Sequence, residues 1–163
     1  MEKKTVLIGN KSSDRIQIIN ILAATSIALL TVLVGLSNKD LNFWMLFQLS
    51  ISVPCFITSS LAYSKLSYRD SSEIGWWNSF AWLSFSIGYV LILNSMSILL
   101  YQTSKTLAYW FIGFASLLFA SYSLLDIFLN KTRSKEKIFK LFFYLFLIFL
   151  GFFIPALNGH LIK

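Results

Sequence analysis

The chain has 163 residues, 56% hydrophobic and 17% aromatic, with only 13% charged and a formal net charge of +7. A water-soluble domain normally carries about 25% charged residues, so an ordinary soluble globule is excluded. The single cysteine, Cys55, excludes an intrachain disulfide, and with one histidine, His160, it cannot build a metal site of nitrogen and sulfur ligands within one chain.

The charges stand at long intervals. Residues 16–38, 41–64, 74–104, 106–125 and 141–159 contain no Asp, Glu, Lys or Arg. A helix rises 1.5 Å per residue, so roughly 20 residues cross a hydrocarbon core of about 30 Å. None of the five shows the polar stripe of a soluble amphipathic helix. The pattern predicts an all-α fold, an integral membrane bundle of five transmembrane helices. A basic tail, 1–15, precedes a single transmembrane domain, 16–163, with spans near 16–36, 43–64, 76–101, 106–129 and 139–158.

The first apolar run begins only at Ile16, is too long for a signal-peptide core and lacks a clean Ala-x-Ala site, so it reads as a retained helix. Lipid gives no hydrophobic drive for helix association, and small and polar residues mark packing seams. In this span Asn20, Ala24, Ala28, Thr31 and Gly35 recur at helical spacing on one face. The second span opens with Leu41-Asn42-Phe43-Trp44 and carries Gln48, Ser52, Cys55 and Ser59 as its seam. Pro54 removes a backbone donor there. That predicts a kink and frees the carbonyl of Ser50 for packing or for an ion.

The third span is diluted by Asn78, Asn94 and several serines but is framed by Trp76 and Trp77 at one end and Tyr101 at the other, with Ser84, Gly88 and Ser95 as its seam. The fourth opens with Leu107-Ala108-Tyr109-Trp110, carries Gly113, Ser116, Ala120 and Ser123, and runs up to Asp126. The openings of spans two and four lie 66 residues apart, but only Leu, Trp, Ser and Lys coincide over 30 positions, which so biased a composition nearly yields by chance. In the fifth, residues 141–157 include 13 Leu, Ile or Phe, worth roughly −4 to −8 kcal/mol of insertion energy. Only Gly151 and Pro155 interrupt it, and Pro155 reads as a terminator. Spans one to four are expected to form the packed bundle, with the fifth facing lipid or a partner on most sides.

Lys and Arg separate by loop. The N-terminal tail has Lys3, Lys4, Lys11 and Arg15, the second–third loop Lys65 and Arg69, and the fourth–fifth loop Lys131, Arg133, Lys135, Lys137 and Lys140; only Lys39, Lys105 and Lys163 fall on the other side. Cations collect in the cytoplasm, so the N-terminus is predicted inside and the C-terminus outside, in the cell (inner or plasma) membrane. Trp44, Tyr101, Tyr109 and Trp110 then form an outer aromatic belt, and Tyr63, Tyr68, Trp76, Trp77 and Tyr144 an inner one. The sequons at Asn10 and Asn130 fall inside and are expected to stay unmodified. The basic loops suit anionic lipid headgroups at the cytoplasmic face, and with no folded module to present them, nucleic acid is not an expected partner.

The inventory argues against an enzyme. Aspartyl hydrolysis needs two neighbouring carboxylates, serine hydrolysis a base beside the nucleophile, and neither Walker-type nor dinucleotide-binding glycine loops occur. No cofactor or metal is expected. Three polar residues within spans are the site candidates: Gln48, Asn94 and Asp126. Ionisable groups inside a membrane are functional candidates, but Asp126 is about one turn, or 5 Å, from the end of its span, where pairing with a cation of the following loop is the simpler reading. Asn94, roughly 10 Å deep, and Gln48 suit helix–helix hydrogen bonds. The leading expectation is a small polytopic protein acting as a subunit or accessory partner of a membrane assembly, through a membrane-protein partner or a homo-oligomer. The alternative is a small oligomeric channel or transporter, in which the three residues would converge on one hydrated cavity.

Overall fold

The computed structural model describes residues 2–35, 41–66, 74–129 and 134–157. They form α1 (Glu2–Gly35), α2 (Phe43–Lys65), α3 (Ile74–Thr103), α4 (Lys105–Leu129) and α5 (Ser134–Ile148); α5 continues through a π-helical segment, Phe149–Phe153, into a last α-helical turn, α6 (Ile154–Leu157). No strand occurs among the described residues. Where there is no water, each backbone N–H and C=O needs an internal partner, and a helix provides almost all of them within its own segment.

Among the described residues five stretches are long and apolar enough to cross a membrane: Ser13–Gly35, Phe43–Lys65, Gly75–Thr103, Lys105–Leu125 and Lys135–Leu157. They fit a transmembrane helix bundle and match the five expected spans to within a few residues. The tail is not a separate extension, because α1 starts at Glu2 and runs unbroken through Arg15 into the apolar stretch. At 34 residues it is roughly 50 Å long, more than the hydrocarbon needs.

Two polar residues set helix boundaries. The Trp44 N–H donates to Asn42 Oδ1 at 2.9 Å, and the Met45 N–H to the Asn42 carbonyl at 3.1 Å. Asn42 therefore caps α2 and satisfies donors that the first turn leaves orphaned. Ser104 is the whole junction between α3 and α4. Its N–H donates to Leu100 O at 2.7 Å, while its own carbonyl accepts from Ala108 N at 3.1 Å.

The chain divides into two compact units, Met1–Lys39 with Leu49–Tyr89, and Asp40–Gln48 with Val90–Lys163. In the first, the Ser59 hydroxyl, fully buried, donates to Ala81 O at 2.7 Å, and the Ser60 hydroxyl to Asn20 Oδ1 at 2.9 Å. A Cβ on Gly88 would lie 3.1 Å from Cys55 Cβ and 3.2 Å from the Phe56 ring, so this glycine permits the close approach of α2 and α3. The expected seams of these two helices hold: Ser52, Ser59, Ser84 and Gly88 are buried. In the second unit the Ser95 hydroxyl reaches Met45 O at 3.2 Å and Leu91 O at 2.7 Å. There, too, Tyr101, Tyr109 and Phe152 join edge to face, with centroids 5.8 to 6.3 Å apart.

Two packing expectations are corrected. The small-residue stripe of α1 is exposed at Ala24, Ala28, Thr31 and Gly35, and the exposed Asn20 at its start meets α2 through the Ser60 hydroxyl; the buried residues of the helix, among those described, are Ile19 and Ser26. Gly113 of α4 is exposed as well. Nor are spans one to four the packed set: half of the apolar stretch of α3 and 39% of that of α2 are buried, against 11% for α1 and α4, while α5, at 17%, is open on most sides as expected. Small side chains permit close approach without driving it, whereas hydroxyls and amides that reach a neighbouring carbonyl hold it.

Replacing Ser59 by Ala is expected to destabilise the protein by about 0.6 kcal/mol, and by no more than about 1.7 kcal/mol. Thr58→Val, whose hydroxyl is exposed and bonds only to Pro54 O and Cys55 O of its own helix, should cost less. Denaturant titration of the two variants in detergent micelles measures the difference.

Candidate functional site

The site starts from a proline. Pro155 has no N–H, so the carbonyl four residues earlier, Gly151 O, loses its α-helical donor. The side chain of Gln48 from α2 replaces it, with Nε2 donating to Gly151 O at 2.7 Å. Asn94 from α3 comes to the same place: its Nδ2 donates to Leu147 O at 3.2 Å. Two carboxamides from two helices thus serve the backbone of a third, all within the second unit.

The receiving segment is built for this. Between Phe149 and Phe153 the helix widens to π geometry, and the Ile154 N–H donates five residues back, to Phe149 O. Phe152 is fully buried beside Tyr101 and Tyr109, and Ile148 and Pro155 are buried at helical spacing from it. Gly151 lies under the two amides. A Cβ there would stand 2.9 Å from Gln48 Oε1 and from Asn94 Cγ, with Asn94 Nδ2 closer still. No side chain fits, so the missing Cβ is what lets the amides reach the backbone. π segments of one turn are frequent at functional sites.

Gln48 is 3% exposed and Asn94 0%, and the second heteroatom of each, Gln48 Oε1 and Asn94 Oδ1, has no hydrogen-bond partner. In the interior such acceptors are costly, about 1–3 kcal/mol each. The structure thus brings Gln48 and Asn94 together. Asp126 lies on α4, three residues before its last residue, Leu129, and its side chain is outside the described residues, as are Lys131 and Arg133. Of the cations expected near it, Lys140 Nζ meets Glu136 one turn away at 2.8 Å.

Gly151 and Pro155 are the members of the site that the sequence reading did not assign. The signal was there: a proline four residues after a glycine in a span leaves a carbonyl both undonated and sterically open. Pro54 has the same effect on the exposed Ser50, but α2 continues through it as one helix. No side-chain donor to the Ser50 carbonyl occurs among the described residues. Ser50, Val53 and Pro54 line instead an open, apolar groove of about 670 Å³ with Ile27, Leu30, Thr31, Val34 and Gly35. A second groove, about 550 Å³, runs along Thr106, Tyr109, Trp110, Gly113, Phe114 and Leu117. Neither includes Gln48 or Asn94. Among the described residues no group of His, Cys, Asp and Glu could hold a metal ion.

No family model matches the chain, and neither the curated proteins nor the solved structures include a match.

Gly151→Ala is expected to destabilise the protein by about 1–3 kcal/mol, the range of an overpacked core, whereas Gly113→Ala, with open space around its Cβ, should be neutral or stabilising by up to about 1 kcal/mol. Gln48→Leu should cost about 1 kcal/mol, and less than half of that in a Pro155→Ala background, where the restored N–H serves Gly151 O. A double-mutant cycle in micelles reads the coupling; additive costs would show that Gln48 does not replace the donor Pro155 removes.

Proposed function

We propose that the chain is a polytopic protein of the cell (inner or plasma) membrane that acts through its helices, as a subunit or accessory partner of a membrane assembly, and not as an enzyme. The observation that carries this reading is the use made of its buried polar side chains. Gln48 and Asn94 are spent on the backbone of α5, as a packing role requires, and two open grooves among the described residues, beside Pro54 and beside Trp110, are apolar and include neither of them. Wide apolar faces remain on α1, α4, α5 and α6, with Ile21, Phe114, Tyr122, Phe128, Phe142 and Leu157 all more than half exposed; lipid or a second membrane protein covers such faces.

The orientation we propose is N-terminus inside and C-terminus outside. It rests on the eleven cations of one side against three on the other. Arg15 lies over Tyr63 at 5.5 Å and Lys65 over Trp77 at 4.5 Å, which supports placing these four residues at one interface; the charge count alone assigns that interface to the inside. Anionic lipid headgroups are the natural counter-charge there.

Single cysteines in a Cys55→Ser background test the orientation. A cysteine at Ser12 or Ser134 should be protected from a membrane-impermeant maleimide in intact cells, and one at Ser37 or Lys163 should be labelled; the reverse pattern overturns the assignment. For the function, liposomes holding the purified protein should show no ion or proton flux above empty liposomes, while native electrophoresis of mildly solubilised membranes should place the chain in a discrete assembly. Flux that Asp126→Asn abolishes, with fold and oligomer intact, would establish the channel or transporter instead.

A further inference from the structure

We infer that Gln48 Oε1 and Asn94 Oδ1 are the two acceptors of a single bound water molecule, held between α2, α3 and the π segment of α5. The inference does not depend on the accessory role proposed above. Each carboxamide donates its nitrogen to the α5 backbone, to Gly151 O at 2.7 Å and to Leu147 O at 3.2 Å. The oxygens remain without a partner in residues that are 3% and 0% exposed. Buried acceptors in an apolar medium carry their full desolvation penalty until a donor reaches them.

The chemistry selects the donor. The two oxygens are neutral, and both carboxamides converge on Gly151: Gln48 Oε1 and Asn94 Cγ each stand 2.9 Å from the point where a side chain of that residue would begin. One small molecule with two donor hydrogens serves both, and a buried water typically makes about three such bonds. A cation is the poorer occupant. It would surrender a hydration shell that two amide oxygens cannot replace, and it would meet Asn94 Nδ2, a donor, at the same glycine. The burial of both residues also limits the occupant to something enclosed as the helices pack.

Water-edited solid-state NMR of the full chain in lipid bilayers, uniformly labelled with nitrogen-15 so that both the backbone amides and the side-chain amides of Asn and Gln are observed, tests the inference. Polarisation from water should reach the Gln48 and Asn94 side chains at least about threefold faster than the flanking backbone amides of Leu93 and Leu147, as for an ordered internal water. Asn94→Leu should abolish the fast transfer at Gln48, and Gln48→Met the fast transfer at Asn94, with the remaining backbone spectrum unchanged; if one variant does not fold, the other reads the same coupling. Transfer no faster than in the flanking amides overturns the inference, as does transfer at one amide that survives loss of the other. Resonances of the pair that move when sodium replaces choline in the buffer would assign the site to a cation and overturn it too.

Discussion

A peptide group inside hydrocarbon has no water to turn to, so its N–H and C=O must find partners within the protein. Long helices meet this demand almost everywhere among the described residues. The demand fails by covalent necessity at two places, where Pro54 and Pro155 lack the donor that a carbonyl one turn earlier would use. At Pro155 the failure is made good from outside the helix. Gln48 supplies the hydrogen bond to Gly151 O, Asn94 supplies one to Leu147 O, and the π segment together with the bare Cα of Gly151 gives them access. At Pro54 the helix continues and the Ser50 backbone borders an open groove. The same local chemistry therefore has two outcomes, decided by whether a neighbouring helix presents an amide.

Packing follows from the same solvent argument. With lipid as apolar as leucine, burying another leucine gains little, and specific contacts decide which faces meet. In the first unit these contacts are the Ser59 and Ser60 hydroxyls and the close approach at Gly88. In the second they are Ser95 on Met45 O, the two carboxamides on α5, and the aromatic cluster of Tyr101, Tyr109 and Phe152. Small residues without a donor or a close partner stay open, as at Ala24, Ala28 and Gly35 of α1.

The proposed role grows from this economy. A transport pathway needs polar groups left available to a solute, whereas the nitrogens of Gln48 and Asn94 are committed to backbone carbonyls. Their oxygens retain acceptor capacity, which is why a single enclosed water fits the site and a solvated route does not follow from it. The faces that remain available are apolar and aromatic, the chemistry of contact with lipid chains or another membrane helix.

Composition and charge spacing were enough to establish an all-helical chain with five segments able to cross a membrane, because the length of a span and the cost of a charge within it are properties of single residues added along a line. The seams of α2 and α3 were legible for a similar reason: serines and glycines at helical spacing are present whichever partner they meet. The polar character of Gln48 and Asn94 marked them as helix-contact residues, but their common destination was not written in either helix. Gly151 and Pro155 read as interruptions in a field of Phe and Leu, and the α1 stripe read as a seam of five residues where only Asn20 meets α2. Only tertiary structure decided these points, since a freed carbonyl becomes a site, and a row of small residues a contact, when another helix brings the right group within about 3 Å.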